Sequence, residues 1–390
     1  MRGFFLAALM LSIALLSPAR AAEDYTIHVV LPTTGGAAFV GKGQQQVLEI
    51  LAADTNKHGG IAGRPLKLVF HDDQTSPQVA VQLTNDILAT HPAVIMGSAI
   101  TAMCNAMAPL VKNGPVMYCM SPGIRPAPGD FVFAATVPTS GLHEAMVRYF
   151  RLKGWTRLAM LSSSDATGQD ADRAFAEALA LPENSGVKVV EQLHFTTTDV
   201  SVTAQIERIK ASGAQALVAW TTGAQLVTIL KGIVQSGLDI PVATSAGNQL
   251  FEPFAQFVPF LPKMLLMPSA WYPEHDGIAK LDPRVEKVQH EMYALLAEKG
   301  LKADNSVGTA WDPLLIIVSA LRKFGPDATA AQIHDYIVNL TDFPGVDGIY
   351  DFKKNPQRGL DASDCIMVRY DPVGKRWAWM SEPGGVPFKK

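Results

Sequence analysis

Thr26-Ile27-His28-Val29-Val30-Leu31, followed by the amphipathic stretch Gln44 to Asn56 and then Leu66-Lys67-Leu68-Val69-Phe70, decides the fold. Two short apolar runs flank a segment of helical length and period, the pattern of a strand, a crossover helix and a parallel strand. The rhythm continues through Pro77 to His91, Val94 to Gly97, Thr101 to Lys112 and Val116 to Met120. Strands this apolar are buried on both faces, so helices are expected on each side of a parallel sheet. After Phe131 to Ala135 the rhythm restarts with Gly141 to Lys153 and Arg157 to Leu161. It then runs through Asp170 to Leu179, Val187 to His194, Val202 to Ser212, Ala216 to Ala219, Gln225 to Gln235 and Val242 to Ala243. The chain therefore predicts an α/β fold of two similar lobes with parallel sheets. Pro283 to Gly300, Ser306 to Phe324 and Ala331 to Leu340 add helical patterns, and a Gly-rich, strand-like tail begins at Gly345. Thr136-Val137-Pro138-Thr139 and Ser269-Ala270-Trp271-Tyr272-Pro273 are short crossings between the halves, unlike flexible tethers, and suggest a hinge. Ligands of open parallel sheets bind beyond the carboxyl ends of the strands, so two facing sheets would hold one between them.

The 390 residues, 48% hydrophobic and 18% charged, suffice for a sizeable core in two or three lobes and exclude disorder. With 33 Lys+Arg against 36 Asp+Glu and no basic run, the footprint of a nucleic-acid binder is missing. The apolar run Phe4 to Leu16 falls short of the roughly 20 residues that span a bilayer. With Arg2 before it and Pro18-Ala19-Arg20-Ala21-Ala22 after it, the run reads as an export signal cut after Ala21. No cysteine lies near that site, so the product is expected free in a periplasm-like space, not lipid-anchored. Cys104, Cys119 and Cys365 are too few for a disulfide-built scaffold. Cys104 and Cys119 lie near the ends of successive strands, so an oxidising compartment could join them; two small buried hydrophobes are the alternative.

The residues after each strand carry the candidate site. Gly36 to Lys42 spells GxxxxGK, but Gly43 stands where a phosphate loop needs Ser or Thr, so the stretch is read as a Gly-permitted turn that aims Phe39 into a cleft. Gly97-Ser98-Ala99-Ile100-Thr101 places hydroxyls and free N–H groups at a helix start, where a carboxylate could sit. Ser121-Pro122-Gly123-Ile124-Arg125 repeats the hydroxyl and turn, and Arg125 adds a possible fork-shaped donor. Ser162 to Asp170 contains Ser and Asp but neither a GxSxG elbow nor a partner His, so a hydrolase triad lacks support and no catalytic residue is assigned. Trp220-Thr221-Thr222-Gly223 and Ala243 to Gln249 are small and polar without an acid. The nine His are scattered and His71-Asp72-Asp73 lacks ligand spacing, so no metal or other cofactor is expected.

Asn56 to Leu66 (NKHGGIAGRPL) followed by Asp72-Asp73, Gly97 with Thr101, Ser121-Pro122, Gln205-Ile206, Gly237-Leu238, Ala310-Trp311-Asp312, and Phe343 to Gly348 leading into Tyr350-Asp351-Phe352 are loose singly but specific in order. Together they resemble the type I periplasmic solute-binding proteins of ABC transporters, branched-chain amino acid and amide group. The resemblance implies two Rossmann-like lobes joined by a three-crossing hinge, closing on a small ligand and presenting the closed form to an inner-membrane permease. Residues 22–138 with 273–346 are expected to form the first lobe, and 139–272 with 347–390 the second. A monomer is the simplest reading. A sensor for a membrane receptor is the alternative to transport.

In amino-acid binders of that group, positions matching Thr101, Gly123 and Arg125 hold the carboxylate and one matching Phe39 covers the ligand. The ammonium is held by a Tyr before a Gly and an acid before a second Gly. Here those positions read Thr167 before Gly168 and Ala246 before Gly247. An enclosed ammonium without a carboxylate would be an unpaired buried charge. The expected ligand is therefore an aromatic or similar hydrophobic carboxylate, met by Ser98, Thr101, Ser121 and Arg125 at one end and by Phe39 and Trp311 at the other. An aliphatic amino acid is the alternative, with Asp165 supplying the acid.

Overall fold

The computed structural model describes residues 23–274 and 280–389. The expected leader, with its cut after Ala21, lies outside the described residues. The first lobe is built from β1 (Tyr25–Leu31), α1 (Ala38–Lys57), β2 (Leu66–Asp72), α2 (Pro77–Leu88), β3 (Val94–Met96), α3 (Thr101–Met107), β4 (Val116–Cys119) and β5 (Val132–Ala134). Its sheet is wholly parallel in the order β2-β1-β3-β4-β5. Each crossover helix thus returns the chain to the same edge, so every strand delivers its carboxyl end to one rim.

The second lobe follows as α4 (Thr139–Leu152), β6 (Arg157–Ser163), α5 (Ala166–Leu179), β7 (Lys188–Phe195), α6 (Thr203–Ala211), β8 (Ala216–Trp220), α7 (Gln225–Ser236), β9 (Val242–Thr244), α8 (Phe251–Phe257) and β10 (Leu265–Ser269). After β10 come α9 (Pro283–Ala297), α10 (Asn305–Phe324) and α11 (Ala330–Val338), of which α10 packs along α1. A short hairpin, β11 (Phe343–Pro344) with β12 (Ile349–Tyr350), precedes β13 (Ile366–Asp371) and β14 (Arg376–Trp379). The second sheet runs β14-β13-β10-β9-β8-β6-β7. Its last two strands pair antiparallel, β13 with β10 and β14 with β13, so the tail turns an otherwise parallel sheet into a mixed one.

Local chemistry explains the loops that aim at the rim. The Asn56 side chain clamps Leu66, accepting from its N–H at 2.6 Å and donating to its carbonyl at 2.9 Å, which closes the turn between α1 and β2. Asp72 accepts from the N–H groups of Thr33, Thr34 and Gln74, tying the loop after β1 to the loop after β2. Asp312 on α10 accepts from Val346 and Asp347 N–H at 2.9 and 3.0 Å, which fixes the segment behind β11. The motifs around Asn56, Asp72 and Asp312 therefore each have a hydrogen-bonding reason.

The glycine-rich stretch after β1 is not a turn throughout, because α1 begins at Ala38 and carries Phe39, Gly41 and Gly43 within it. A Cβ on Gly41 would lie 2.2 Å from Pro32 O, and one on Gly43 2.2 Å from Ser306 Oγ. These glycines let α1 press against the strand end and against α10. The chain from Phe352 to Arg358 stays on the first sheet: Phe352 meets Phe133, and Gln357 O accepts from Ala134 N–H at 2.9 Å. Arg358, 7% exposed, donates to the carbonyls of Pro122, Ile124, Ala135 and Thr136, stapling the first crossing to the loop after β4. By Ala362 the chain lies against Gly141 of α4. No helix among the described residues is long and apolar enough to cross a membrane.

Candidate functional site

The two rims face each other across a narrow cavity lined from both lobes. From the first lobe it is lined by Val40, Ala99, Ile100 and Thr101, by Met120 to Gly123, and by Asn305 and Thr309 of α10. From the second it is lined by Thr139, Thr167, Asp170, Trp220, Thr222, Ser245 and Gly247. The lobes are shut: a Cβ on Gly223 of the second would meet Gly36 O of the first at 3.0 Å, and Asn305 N–H donates to Gln249 O at 2.9 Å.

Each lobe contributes a pair of hydroxyls. Thr101 Oγ1 and Ser121 Oγ lie 3.0 Å apart, and Gly123 N–H donates to Ser121 Oγ at 3.4 Å. Opposite them Thr222 Oγ1 and Ser245 Oγ are also 3.0 Å apart, with Gly247 N–H donating to Ser245 Oγ at 3.2 Å. The disulfide Cys104–Cys119, with Cα atoms 6.2 Å apart, joins the first turn of α3 to the end of β4, hence the Thr101 turn to the Ser121 turn. A hydroxyl pair of this kind can both donate to an anionic oxygen and accept from a cationic nitrogen.

Asp170 is the cavity's acid. Its side chain is 1% exposed; Oδ1 accepts from Arg125 Nε at 2.8 Å and Arg173 Nη2 at 3.2 Å. Oδ2 is buried, has no hydrogen-bond partner among the described residues, and lies 3.3 Å from where a Cβ on Gly123 would stand. A bare carboxylate oxygen in a dry site costs free energy unless a donor reaches it, so the cavity asks its ligand for a hydrogen-bond donor. His143 is fully buried, its ring 4.2 Å from that of Trp220 and tilted by 44°, with Nδ1 2.9 Å from Thr139 O. Since that carbonyl can only accept, Nδ1 carries the proton. Burial pushes the imidazole down to about 4, so the ring is neutral near pH 7.

Of the residues singled out in the sequence, Thr101, Ser121, Gly123, Thr167 and Gly247 line the cavity. Ser98 does not: it is buried and donates to Asp73 Oδ2 at 2.5 Å, holding the loop after β2, where burial pushes the Asp73 carboxyl up. Arg125 turns across to Asp170 and to Glu177 Oε1, 2.7 Å away. Asp165 caps α5, with Oδ1 accepting from Thr167 N–H, Gly168 N–H and Ser163 Oγ. Ala246 opens a single 3₁₀ turn and Trp311 is buried within α10; neither lines the cavity. Phe39 packs beside Val40, Ala99 and Leu250, an apolar contact between the lobes.

Sequence reasoning missed Asp170, Trp220, Thr222, Ser245, Asn305 and Thr309 as lining residues. The first four lie in strand-end stretches already picked out; the signal for Asp170 was its place in the second turn of α5, three residues after Thr167 and on the same face. Gly168 itself is demanded by packing, because a Cβ there would fall 1.6 Å from Ser163 O.

A family model described as periplasmic binding protein matches residues 24–371. Among curated proteins, the chain is 27% identical over 207 residues to an amino acid binding protein of Pseudomonas aeruginosa, covering 50% of this chain and 53% of that protein. It is 22% identical over 225 residues to the leucine-, isoleucine-, valine-, threonine-, and alanine-binding protein of the same organism, covering 56% and 59%. The chain thus spans little more than half the length of the curated relatives it matches. Among solved structures, an extracellular ligand-binding receptor from Rhodopseudomonas palustris HaA2 superposes with a TM-score of 0.80 at 18% identity, over 92% of this chain and 99% of that one.

Proposed function

The chain belongs to the periplasmic binding protein family, and on that premise we propose that it is the substrate-binding component of an ABC import system. In this reading it shuts its two lobes on a small α-amino acid with an apolar side chain and delivers the closed form, as a monomer, to an inner-membrane permease. The carrying observation is Asp170, whose bare buried Oδ2 lies beside the Thr101 and Ser121 hydroxyls in one cavity. A zwitterion answers both halves of that arrangement: its carboxylate takes the hydroxyls of Thr101 and Ser121, and its ammonium takes Asp170. Val40, Ile100 and Met120 offer apolar cover for its side chain. The names of the two curated relatives agree with an amino-acid ligand. Affinity comes from closure, because a ligand touching both lobes shifts the population toward the shut state.

The lobes divide, on this account, as residues 22–138 with 273–358 and 139–272 with 359–390. The last crossing sits at Gly359 to Asp361 because Gln357 and Arg358 bond to the first lobe. A plain aromatic carboxylate is the second reading, favoured by Thr167 and Ala246 standing where related cavities carry Tyr and an acid, and by the Trp220 ring in the wall.

The test is a thermal-shift screen of the mature protein against amino acids and their des-amino analogues. A ligand at about 100 times its Kd adds about 2.7 kcal/mol to the folded state. Stabilisation by an apolar amino acid and not by its des-amino partner supports the first reading; the reverse preference establishes the second.

A further inference from the structure

Arg125 stands in the first lobe, yet the two carboxylates its guanidinium bonds both belong to α5 of the second. Nε donates to Asp170 Oδ1 at 2.8 Å and Nη1 to Glu177 Oε1 at 2.7 Å, while Arg173 shares the same Asp170 oxygen. Its own loop is held rigid from below, since Arg358 takes the carbonyls of Pro122 and Ile124. Asp170 and Glu177 lie seven residues apart, two helical turns, on one face of α5, so a single fork reaches both. The two Arg125 bonds cross from one lobe to the other.

We propose that Arg125 is a positioning residue that couples lobe closure to ligand capture by drawing Asp170 onto the first lobe. It engages one carboxylate oxygen of Asp170 and thereby turns the other toward the cavity. The inference rests on the zwitterion reading above. Its physical content is electrostatic: within its own helix Asp170 has Arg173 alone, at 3.2 Å and largely exposed, and Arg125 adds a shorter 2.8 Å bond from the facing lobe to the buried carboxylate. The Arg125 and Glu177 side chains are 41% and 49% exposed, so that part of the pair is screened by salt, whereas the Asp170 end is dry. A zwitterion carries no net charge, so a salt-dependent affinity for it must come from charges on the protein.

The experiment is calorimetric titration of the mature protein with the amino acid that stabilises it best, at low and high NaCl, together with small-angle scattering of the ligand-free protein under both conditions. Wild type is expected to bind several-fold more weakly at high salt. Arg125→Gln should bind about tenfold or more weakly at low salt and lose the salt dependence. Arg125→Lys should recover part of both, because it keeps the charge but not the fork. In scattering, ligand-free wild type should be more compact at low salt than Arg125→Gln, with the two alike at high salt. Equal affinities and equal salt slopes in wild type and Arg125→Gln would overturn the proposal. Should no amino acid bind, the zwitterion reading fails by itself, and scattering decides the latch: identical ligand-free curves at every salt overturn it.

Discussion

Gly123→Ala is the substitution whose consequence the geometry fixes most tightly. Nothing in the backbone at Gly123 requires glycine, since its φ lies outside the left-handed range, so the alanine is excluded by contacts alone. The new Cβ would stand 2.2 Å from Thr101 Oγ1, 3.2 Å from Thr101 Cγ2 and 3.3 Å from Asp170 Oδ2. The Thr101 hydroxyl must swing away, breaking its 3.0 Å bond to Ser121, and the methyl then occupies the space beside Asp170. Unpairing a buried hydroxyl costs about 1–3 kcal/mol and overpacking about 1–3 kcal/mol more. In the open state Thr101 can turn into the cleft, so most of the cost falls on closure. Calorimetric titration should show ligand binding weakened by about 2–4 kcal/mol, roughly 30- to 1,000-fold, with ligand-free stability down by only about 1 kcal/mol. Gly123→Ala in a Thr101→Ala background removes the clash with the hydroxyl but keeps the methyl beside Asp170, so the double variant should lose less than the sum of the two single losses. A Kd for Gly123→Ala within about threefold of wild type would refute the placement of Thr101, Gly123 and Asp170 around one ligand.

Three further outcomes follow from the same geometry. Thr101→Ala should weaken binding by about 1–3 kcal/mol while leaving the ligand-free melting temperature nearly unchanged; a large loss of ligand-free stability would make Thr101 structural instead. Replacing Cys104 and Cys119 by alanine opens a link across 15 residues and should cost about 3 kcal/mol in a denaturant titration. It should also weaken ligand binding, because the bond ties the Thr101 turn to the Ser121 turn. His143 titrates near 6.5 in the unfolded chain but only at about 4 when buried, so its share of stability is lost as pH falls from 6.5 toward 4, on the order of 3 kcal/mol. Buried Asp304 and Asp312, pushed up to about 6, act oppositely, costing stability as pH rises from 3.8. The His143 effect is therefore read as the difference in urea midpoint between wild type and His143→Asn at pH 4.5 and 7, and an equal pH response in both would contradict it.

The two-lobed α/β architecture was legible because it rests on periodicity and on strand ends, both local properties of the chain. Short apolar runs separated by amphipathic stretches announce the β-α-β rhythm, and small polar residues after the runs mark the rim. Thr101, Ser121, Gly123 and Thr167 could be picked out because they follow directly on strands or open the helices behind them. Asp170 was harder to read, since a carboxylate in the second turn of a helix is solvated in most proteins; only the shut lobes make it a cavity wall. Arg125 and Asp165 misled for the same reason in reverse. Each is a polar residue in the right loop whose side chain is already engaged, Arg125 on α5 and Asp165 at the helix end it caps. Asn305 and Thr309 reach the cavity from α10, just over 200 residues beyond Thr101 in the chain, and no local pattern brings them there. The antiparallel close of the second sheet was hidden likewise, because a strand-like tail does not state its direction.

The most direct test of the central claim is a pair of titrations on wild type and Asp170→Asn, using the best amino acid from the screen and its des-amino analogue. Asn keeps the shape and removes the charge. The account predicts that wild type prefers the amino acid, that Asp170→Asn binds it more than about a hundredfold more weakly, and that the variant binds the des-amino acid better than wild type does. An unchanged amino-acid affinity in Asp170→Asn would contradict the account and remove Asp170 from the binding site.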